Sequence, residues 1–589
     1  MPSGFFLAKR SVSCKKLKKG IVMKRTPVAL ILPVIPVILF GCSTVTKEQQ
    51  LARFIELHVS KVEPLSTGAN YAYWDASTTG KAEDYNRYKK LQLEIRQIYS
   101  NRREFVFLKT FKESGEIKDA RLARQLDRLY YSYLQNQMDP ALMKKIVDLD
   151  AQVTEKYNTF RGTIEGKRVT NSDIYRILTT EKDSHKRELA WRASKQVGDA
   201  IVADLIELVK LRNQAVRKLA CHTSGGQGFD NYHTFSIVTG EQSVEELDRI
   251  FQQLYELTNE PFANYKRELD SVLADMYGIK TEDLRPWHYH DPFFQRTPLI
   301  FQLDLDTYYK NNDVKELART FYAGVGLPVD DILARSDLYD REGKNPHAFG
   351  FDADRKGDVR ILANLNNDER WMETILHELG HAIYSKYHDP NEPYLLREPA
   401  HSFTTEAIAM FFGRLSRNAD WMHQMLNLPQ EDYQKIQKIS WEYTQSQQVL
   451  FARWALVMYH FEKQLYANPD QDLNSLWWDL IEKYQYVKRP PGPLDAGWAS
   501  KLHFTVAPCY YHNYMLGELF ASQLHHYLVH NVLQRQSDEG VGYVGEKQVG
   551  DYIRRKVFAP GALYYWNDMI TQATGEPLTP KYFVQQFIR

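Results

Sequence analysis

The chain has 589 residues, 43% of them hydrophobic and 25% charged, with a formal net charge of +1. That composition builds a folded core and excludes a nucleic-acid binder, whose basic footprint would show in the sum. Length alone suggests several domains, yet no internal repeat, low-complexity tract or Gly/Ser linker divides the sequence.

From Met23 the chain reads as an export signal. Lys24-Arg25 is a positive segment, and Val28 to Phe40 is an apolar run too short to span a bilayer, interrupted by Pro33 and Pro36. It ends Leu39-Phe40-Gly41-Cys42, which resembles the lipobox of bacterial lipoproteins. The resemblance implies that Cys42 is acylated and becomes the mature amino terminus, with the protein lipid-anchored in the cell envelope. Ser43 after it favours the periplasm-facing outer membrane. Residues 1–41 are then leader and signal peptide, with the one basic run, Lys15 to Lys19, inside them; 42–589 are a single domain. Besides Cys14 and Cys42 there are Cys221 and Cys509, and spacing does not decide whether these two pair.

Helical periodicity dominates the remainder of the chain. Leu205, Leu208, Val209 and Ala215 form an apolar stripe in Asp199 to Leu219, and Leu247, Ile250, Phe251 and Leu254 form the next. Asp358 to Leu365 alternates as a strand does, with Val359, Ile361, Ala363 and Leu365 on one face. The pattern predicts a mainly α protein, one large helical domain of two lobes. Pro490-Pro491-Gly492-Pro493 and Asp538 to Gly545 read as surface loops.

The densest chemistry lies at His377-Glu378-Leu379-Gly380-His381. Asn366 with Glu369 reads as a capping box, and Ile375, Leu379, Ala382 and Ile383 give the stripe of a half-buried helix. On such a helix His377 and His381 project from one face, one turn apart, where two neutral imidazoles can share a Zn2+ ion. Glu378 lies beside them, within reach of a water at the site. Glu406, opening a second helical pattern through Ile408, Phe411, Phe412 and Leu415, is the predicted third ligand.

These residues and their order resemble the angiotensin-converting enzyme family of zinc peptidyl-dipeptidases, in a bacterial single-domain form. Features are shared with the neighbouring thimet-oligopeptidase-like family. Four central blocks carry the resemblance: His347-Ala348-Phe349-Gly350-Phe351-Asp352 leading to Asp358-Val359-Arg360-Ile361, His377 to Tyr384, Arg397-Glu398-Pro399-Ala400 to Glu406, and Lys501-Leu502-His503 with Tyr511 to Glu518. Weaker matches flank them at Ala72-Tyr73-Trp74-Asp75, Trp191-Arg192 and Thr574-Gly575-Glu576.

The resemblance implies a mainly α gluzincin fold, with two lobes around a deep cleft and a small β-sheet beside the zinc helix. It implies one Zn2+ per chain on His377, His381 and Glu406, with Glu378 as general base and then acid. Tyr514, with His503 near it, would stabilise the oxyanion. His347 and Ala348 would bind the backbone of a short peptide substrate as an added strand, and Lys501 and Tyr511 its terminal carboxylate. Three departures accompany it. The interval from the helix motif to Glu406 is one residue longer than in the converting enzymes and matches the oligopeptidases. The interval from His503 to Tyr514 is also one longer, so Tyr510, Tyr511 and Tyr514 all compete for the place at the metal. Asn513 stands where those enzymes have a chloride-binding Arg, and Met410 where they have an Asp. Release of C-terminal dipeptides is the expected activity; internal cleavage by an oligopeptidase, or an inactive lipid-anchored binding protein on the same fold, are the competing readings.

Overall fold

Helix-forming runs succeed one another through most of the chain, and they build a mainly α structure. The computed structural model describes residues 45–219, 229–300 and 304–588. Among these residues are 22 α-helices and two two-stranded sheets, and no helix is long and apolar enough to cross a membrane. Lys47–Arg589 form one compact unit. The helices that position the site are α1 (Lys47–Thr79), α2 (Ser184–Leu219), α3 (Val244–Tyr277), α4 (Glu369–Lys386), α5 (Ser402–Gly413), α6 (Gln430–Ala467) and α7 (His512–Tyr527).

The expected stripes are buried. Leu205, Leu208, Val209 and Ala215 on α2 are fully enclosed, although that helix begins at Ser184, well before the Asp199 suggested by periodicity. On α3 the hydroxyl of Ser243 accepts from the Glu246 N–H, and Glu245 and Glu246 sit in the first turn where the helix dipole favours them. Gly278, at φ +63°, ends α3 with the left-handed residue that glycine adopts without steric cost. Each enclosed Leu, Ile or Phe contributes about 1.5–3 kcal/mol. One large core runs from α2 through α7, and a smaller one under α1 is built on Leu51, Ile55, Phe105 and Leu108.

β1 (Thr163–Ile164) pairs with β2 (Lys167–Arg168), and β3 (Phe349–Asp352) pairs antiparallel with β4 (Val359–Leu362), Phe349 opposite Leu362 and Asp352 opposite Val359. The alternation expected along 358–365 holds only in part. Leu362 is buried together with Val359 and Ile361, because β4 meets both α4 and the Asp330–Arg335 helix. Beyond Leu362 the chain stays extended, the N–H groups of Ala363 and Leu365 donating to the carbonyls of Asp337 and Leu338 at 2.9 and 2.8 Å. α1 lies across this hairpin: Asn70 Nδ2 donates to Ala353 O at 3.1 Å, and the Trp74 ring stacks on Phe351.

α4 is capped by Asp368, whose carboxylate accepts from the Trp371 N–H at 2.8 Å, rather than by Asn366. Glu369 cannot close the expected box because Arg417 holds its carboxylate, at 2.7 and 2.9 Å. Ile375, Leu379, Ala382 and Ile383 are buried as the stripe requires. α4 crosses α5 at Gly380, where an added Cβ would sit 2.8 Å from Ala409 Cα, so only glycine admits the approach that brings Glu406 to the histidines. The Asp538–Gly545 segment departs from the expected surface loop: Val541 and Tyr543 are buried.

Candidate active site

His377 and His381 leave α4 one turn apart, their rings 4.9 Å apart between centroids and nearly perpendicular. Glu406, near the start of α5, faces them. Its Oε2 lies 3.7 Å from His377 Nε2 and 3.9 Å from His381 Nε2. Bonds of about 2.0–2.2 Å at tetrahedral angles put ligand atoms about 3.3 Å apart, so this set closes on one ion with a shift of about half an ångström. The donor chemistry fits as well. Burial drives His377 down to about 4, and burial followed by His377 drives His381 down to about 3, so both imidazoles are neutral and carry free lone pairs. Thr405 Oγ1 lies 2.8 Å from His381 Nδ1, where it accepts the ring N–H and leaves Nε2 to face the centre.

Glu378, next to His377 on α4, is buried and accepts from the Gly350 backbone N–H of β3. Burial, and then the Glu406 charge, push it up to about 8, while the Gly350 backbone N–H pulls the other way. Burial also pushes Glu406 up to about 7. Two carboxyl groups that burial would keep protonated, beside two imidazoles it keeps neutral, form a pocket short of positive charge. A divalent cation at the centre reverses the direction for both acids.

A cavity of about 720 Å³ opens from His377 and holds Lys501, His503, Tyr511 and Tyr514 on its walls. Lys501 is not the solvated lysine that a Lys usually is: it is 7% exposed. Its ammonium donates to Gln295 Oε1 at 2.5 Å and lies 5.2–5.4 Å over the rings of Phe293, Trp454 and Tyr511. Burial lowers it to about 8, with Asp291 raising and Arg296 lowering it. Among the described residues it makes no ion pair, so an incoming anion finds a desolvated cation. Tyr511 accepts from Trp454 Nε1 at 2.8 Å, and burial pushes its phenol above the ordinary range. Tyr514 is half-buried with its ring 6.2 Å from that of His503; burial and then Glu406 raise it, so it stays a donor at neutral pH. Tyr510 lies off this wall and hydrogen-bonds with Ser402. Burial and then Lys501 hold His503 down near 4, and its buried Nδ1 makes no hydrogen bond.

His347 is exposed and Ala348 half-buried, both just before β3 rather than within it; the His347 N–H donates to Asn345 Oδ1 at 2.9 Å. Asn513 is buried and accepts from Gln242 Nε2 at 2.8 Å, while Gln242 Oε1 meets His512 Nε2 at 2.8 Å. Neutral amides thus fill the place of the chloride-binding Arg. Met410 lines the same cavity as His377. Cys509 is buried and free, whereas Cys42 and Cys221 lie outside the described residues. Sequence reasoning missed Gln295 and Arg296, which line the cavity beside Lys501 from an irregular segment without any motif.

A mainly α fold that brings an HExxH helix, a glutamate from the next helix and a peptide-sized cavity together defines a metallopeptidase of the gluzincin type. The family model described as Angiotensin-converting enzyme matches residues 45–288, and the one described as Peptidase family M3 matches residues 333–588. The chain is 22% identical over 356 residues to the "Inactive angiotensin-converting enzyme-related protein" of Caenorhabditis elegans, covering 54% of this chain and 38% of that one. It is 21% identical over 252 residues to "Thermostable carboxypeptidase 1" of Pyrococcus furiosus, covering 39% and 49%. The matches thus span less than half the length of either relative. The amino-terminal part of the chain is thus similar to the angiotensin-converting enzyme family and the carboxy-terminal part, which carries the HExxH helix, to peptidase family M3.

Proposed function

We propose that this protein is a zinc-dependent peptidyl-dipeptidase that removes C-terminal dipeptides from short peptides. The observation that carries the reading is the convergence of His377, His381 and Glu406 at 3.7–3.9 Å, with Glu378 one residue along the same helix. Zn2+ held there would polarise a carbonyl as a Lewis acid and lower the pKa of water to about 7. Glu378 takes the proton of the attacking water and returns it to the departing amine. The Tyr514 hydroxyl donates to the carbonyl oxygen as negative charge develops on it. His503, kept neutral, stands next to that donor. The open edge of β3, with His347 and Ala348 leading into it, offers backbone groups for an extended substrate.

The exo preference rests on Lys501. A peptide's terminal carboxylate seated against this ammonium, with Gln295 and Tyr511 beside it, fixes how much chain reaches past the bond to be cut. Lys501→Ala is expected to weaken free-acid peptides by about 1.5–3 kcal/mol, the worth of a charge-assisted hydrogen bond, and to leave amidated peptides unchanged. Since Lys501 is charged only below about 8, KM for free acids should climb as pH rises through that value and stay flat for amides. Mass spectrometry of products gives the decision. Dipeptides from free-acid substrates and slow cleavage of amides support the assignment. Internal cuts at equal rates in both would make the enzyme an oligopeptidase, the reading that the M3 match over residues 333–588 favours.

A lipid anchor on Cys42 facing the periplasm belongs to the same proposal, motivated by Leu39-Phe40-Gly41-Cys42. Acylated Cys42 at the mature amino terminus, and release of Cys42→Ser protein from membranes, are the expected results. A mature terminus elsewhere on fully soluble wild-type protein would end that part of it.

A further inference from the structure

A second group of metal-ligating side chains lies at the far end of α7, apart from the His377 centre. His526 is in the last turn of α7, His530 comes next in a π-helical turn, Leu528–Val532, and Asp538 is supplied by the loop after it. His526 Nδ1 lies 3.1 Å from Asp538 Oδ2, and His530 Nε2 lies 2.6 Å from Asp538 Oδ1. The imidazoles are 4.3 Å apart between centroids, and the ligand atoms of all three residues fall within 4.8 Å of one another. A single-turn π segment is a known device for re-aiming a side chain at a functional position; here it keeps His530 over the same carboxylate as His526.

The bland alternative is an aspartate bridging two histidines by hydrogen bonds. Half of it is present, since His526 Nδ1 hydrogen-bonds with Asp538 Oδ2, but the other half is not. Asp538 Oδ1 is buried and makes no hydrogen bond, although the His530 nitrogen is only 2.6 Å away, so the ring N–H is not directed at that oxygen. Two ring nitrogens and a carboxylate brought together from a helix, a π turn and a loop, with one oxygen orphaned, are what a bound cation would satisfy. Two imidazoles and one carboxylate suit a borderline ion such as Zn2+, Co2+ or Ni2+ rather than Mg2+ or Ca2+. An ion needs ligand atoms about 3.3 Å apart, so the Asp538–His530 contact of 2.6 Å would open by about 0.7 Å. Both histidines are about 30% exposed and Asp538 sits in a loop, so the movement is accessible.

We propose that His526, His530 and Asp538 form a second divalent transition-metal site, which fastens the loop through Asp538 to the end of α7. The consequence reaches the cleft. The same loop is held through His525, whose Nε2 meets Asp538 O at 3.2 Å and whose Nδ1 meets the Tyr543 hydroxyl at 2.6 Å. Asp538 and Tyr543 form one wall of a cavity of about 400 Å³, which shares Arg414 and Arg417 with the larger cavity at His377. A metal at this site therefore braces the partition behind the substrate cavity without touching substrate.

Metal-stripped full-length protein without a polyhistidine tag is dialysed against Zn2+ or Co2+, and bound metal per chain is measured with the melting temperature. Wild type should bind two equivalents, and His526→Ala/His530→Ala one, losing the part of the thermal stabilisation that accompanies the second. Asp538→Asn, which keeps the shape of the loop, should lose the same equivalent. His377→Ala/His381→Ala should also bind one, but the other one. Equal metal content in wild type and in both the His526→Ala/His530→Ala and Asp538→Asn variants overturns the inference. A wild type that binds one equivalent, lost only with His526 and His530, would uphold this site while removing the metal centre of the proposed function.

Discussion

Glu378→Gln is expected to keep its metal and lose peptide hydrolysis by about 10²–10⁴-fold, the range that a positioned general base contributes. The amide is isosteric and Glu378 is not in the ligand set, so His377, His381 and Glu406 remain as they are. What disappears is a group that can accept a proton. Glu378 is well placed for that task because it is buried, packed against β3 and held by the Gly350 N–H. Burial alone would keep it protonated, with Glu406 adding to the effect. A divalent cation nearby restores the carboxylate, so proton acceptance at Glu378 depends on the metal centre being filled. A Glu378→Gln protein with near-wild-type kcat would contradict the role assigned to it.

The second large effect is expected for Tyr514→Phe. A single oxyanion donor is worth about 10²–10³ in kcat, and substrate binding should change little because the donor meets charge that is absent from the ground state. The neighbouring tyrosines provide the control. Tyr511 is committed to Trp454 and to the wall around Lys501, and Tyr510 is turned to Ser402, so Tyr510→Phe should retain most of the rate and Tyr511→Phe should act mainly on KM. If Tyr510→Phe lost the rate while Tyr514→Phe kept it, the extra residue after His503 would have shifted the donor by one helical turn.

What the sequence allowed and what it withheld divides along physical lines. His377 and His381 were readable because the i, i+4 relation is a local property of a helix, and Glu406 because the next helix packs directly back on α4. Gly380 serves the same crossing, its missing side chain being the condition for Ala409 to approach. The cap of α4 was misplaced by two residues, since Arg417, far along the chain, claims the Glu369 carboxylate. Gln295 could not be found at all: its contact with Lys501 joins positions 206 residues apart, and glutamine in an irregular segment has no periodic signature. The burial of Val541 and Tyr543 was hidden by the Gly-rich character of their segment, which reads as a surface turn until His525 is seen to hold Tyr543. Asp538 belongs to the same segment, so the second cluster of ligands had no motif to announce it. Local spacing gave the centre of the site, and tertiary pairing supplied its rim.

The central claim is that hydrolysis depends on a metal held by His377, His381 and Glu406 and on the carboxylate of Glu378. Turnover of a free-acid peptide against Zn2+ restored to stripped protein tests it most directly, with wild type, His377→Ala/His381→Ala and Glu378→Gln compared. Wild-type activity should vanish on stripping and return in proportion to metal, the histidine variant should not recover, and Glu378→Gln should regain the metal but not the rate. Full turnover by metal-free protein, or recovery in the histidine variant, would contradict the account.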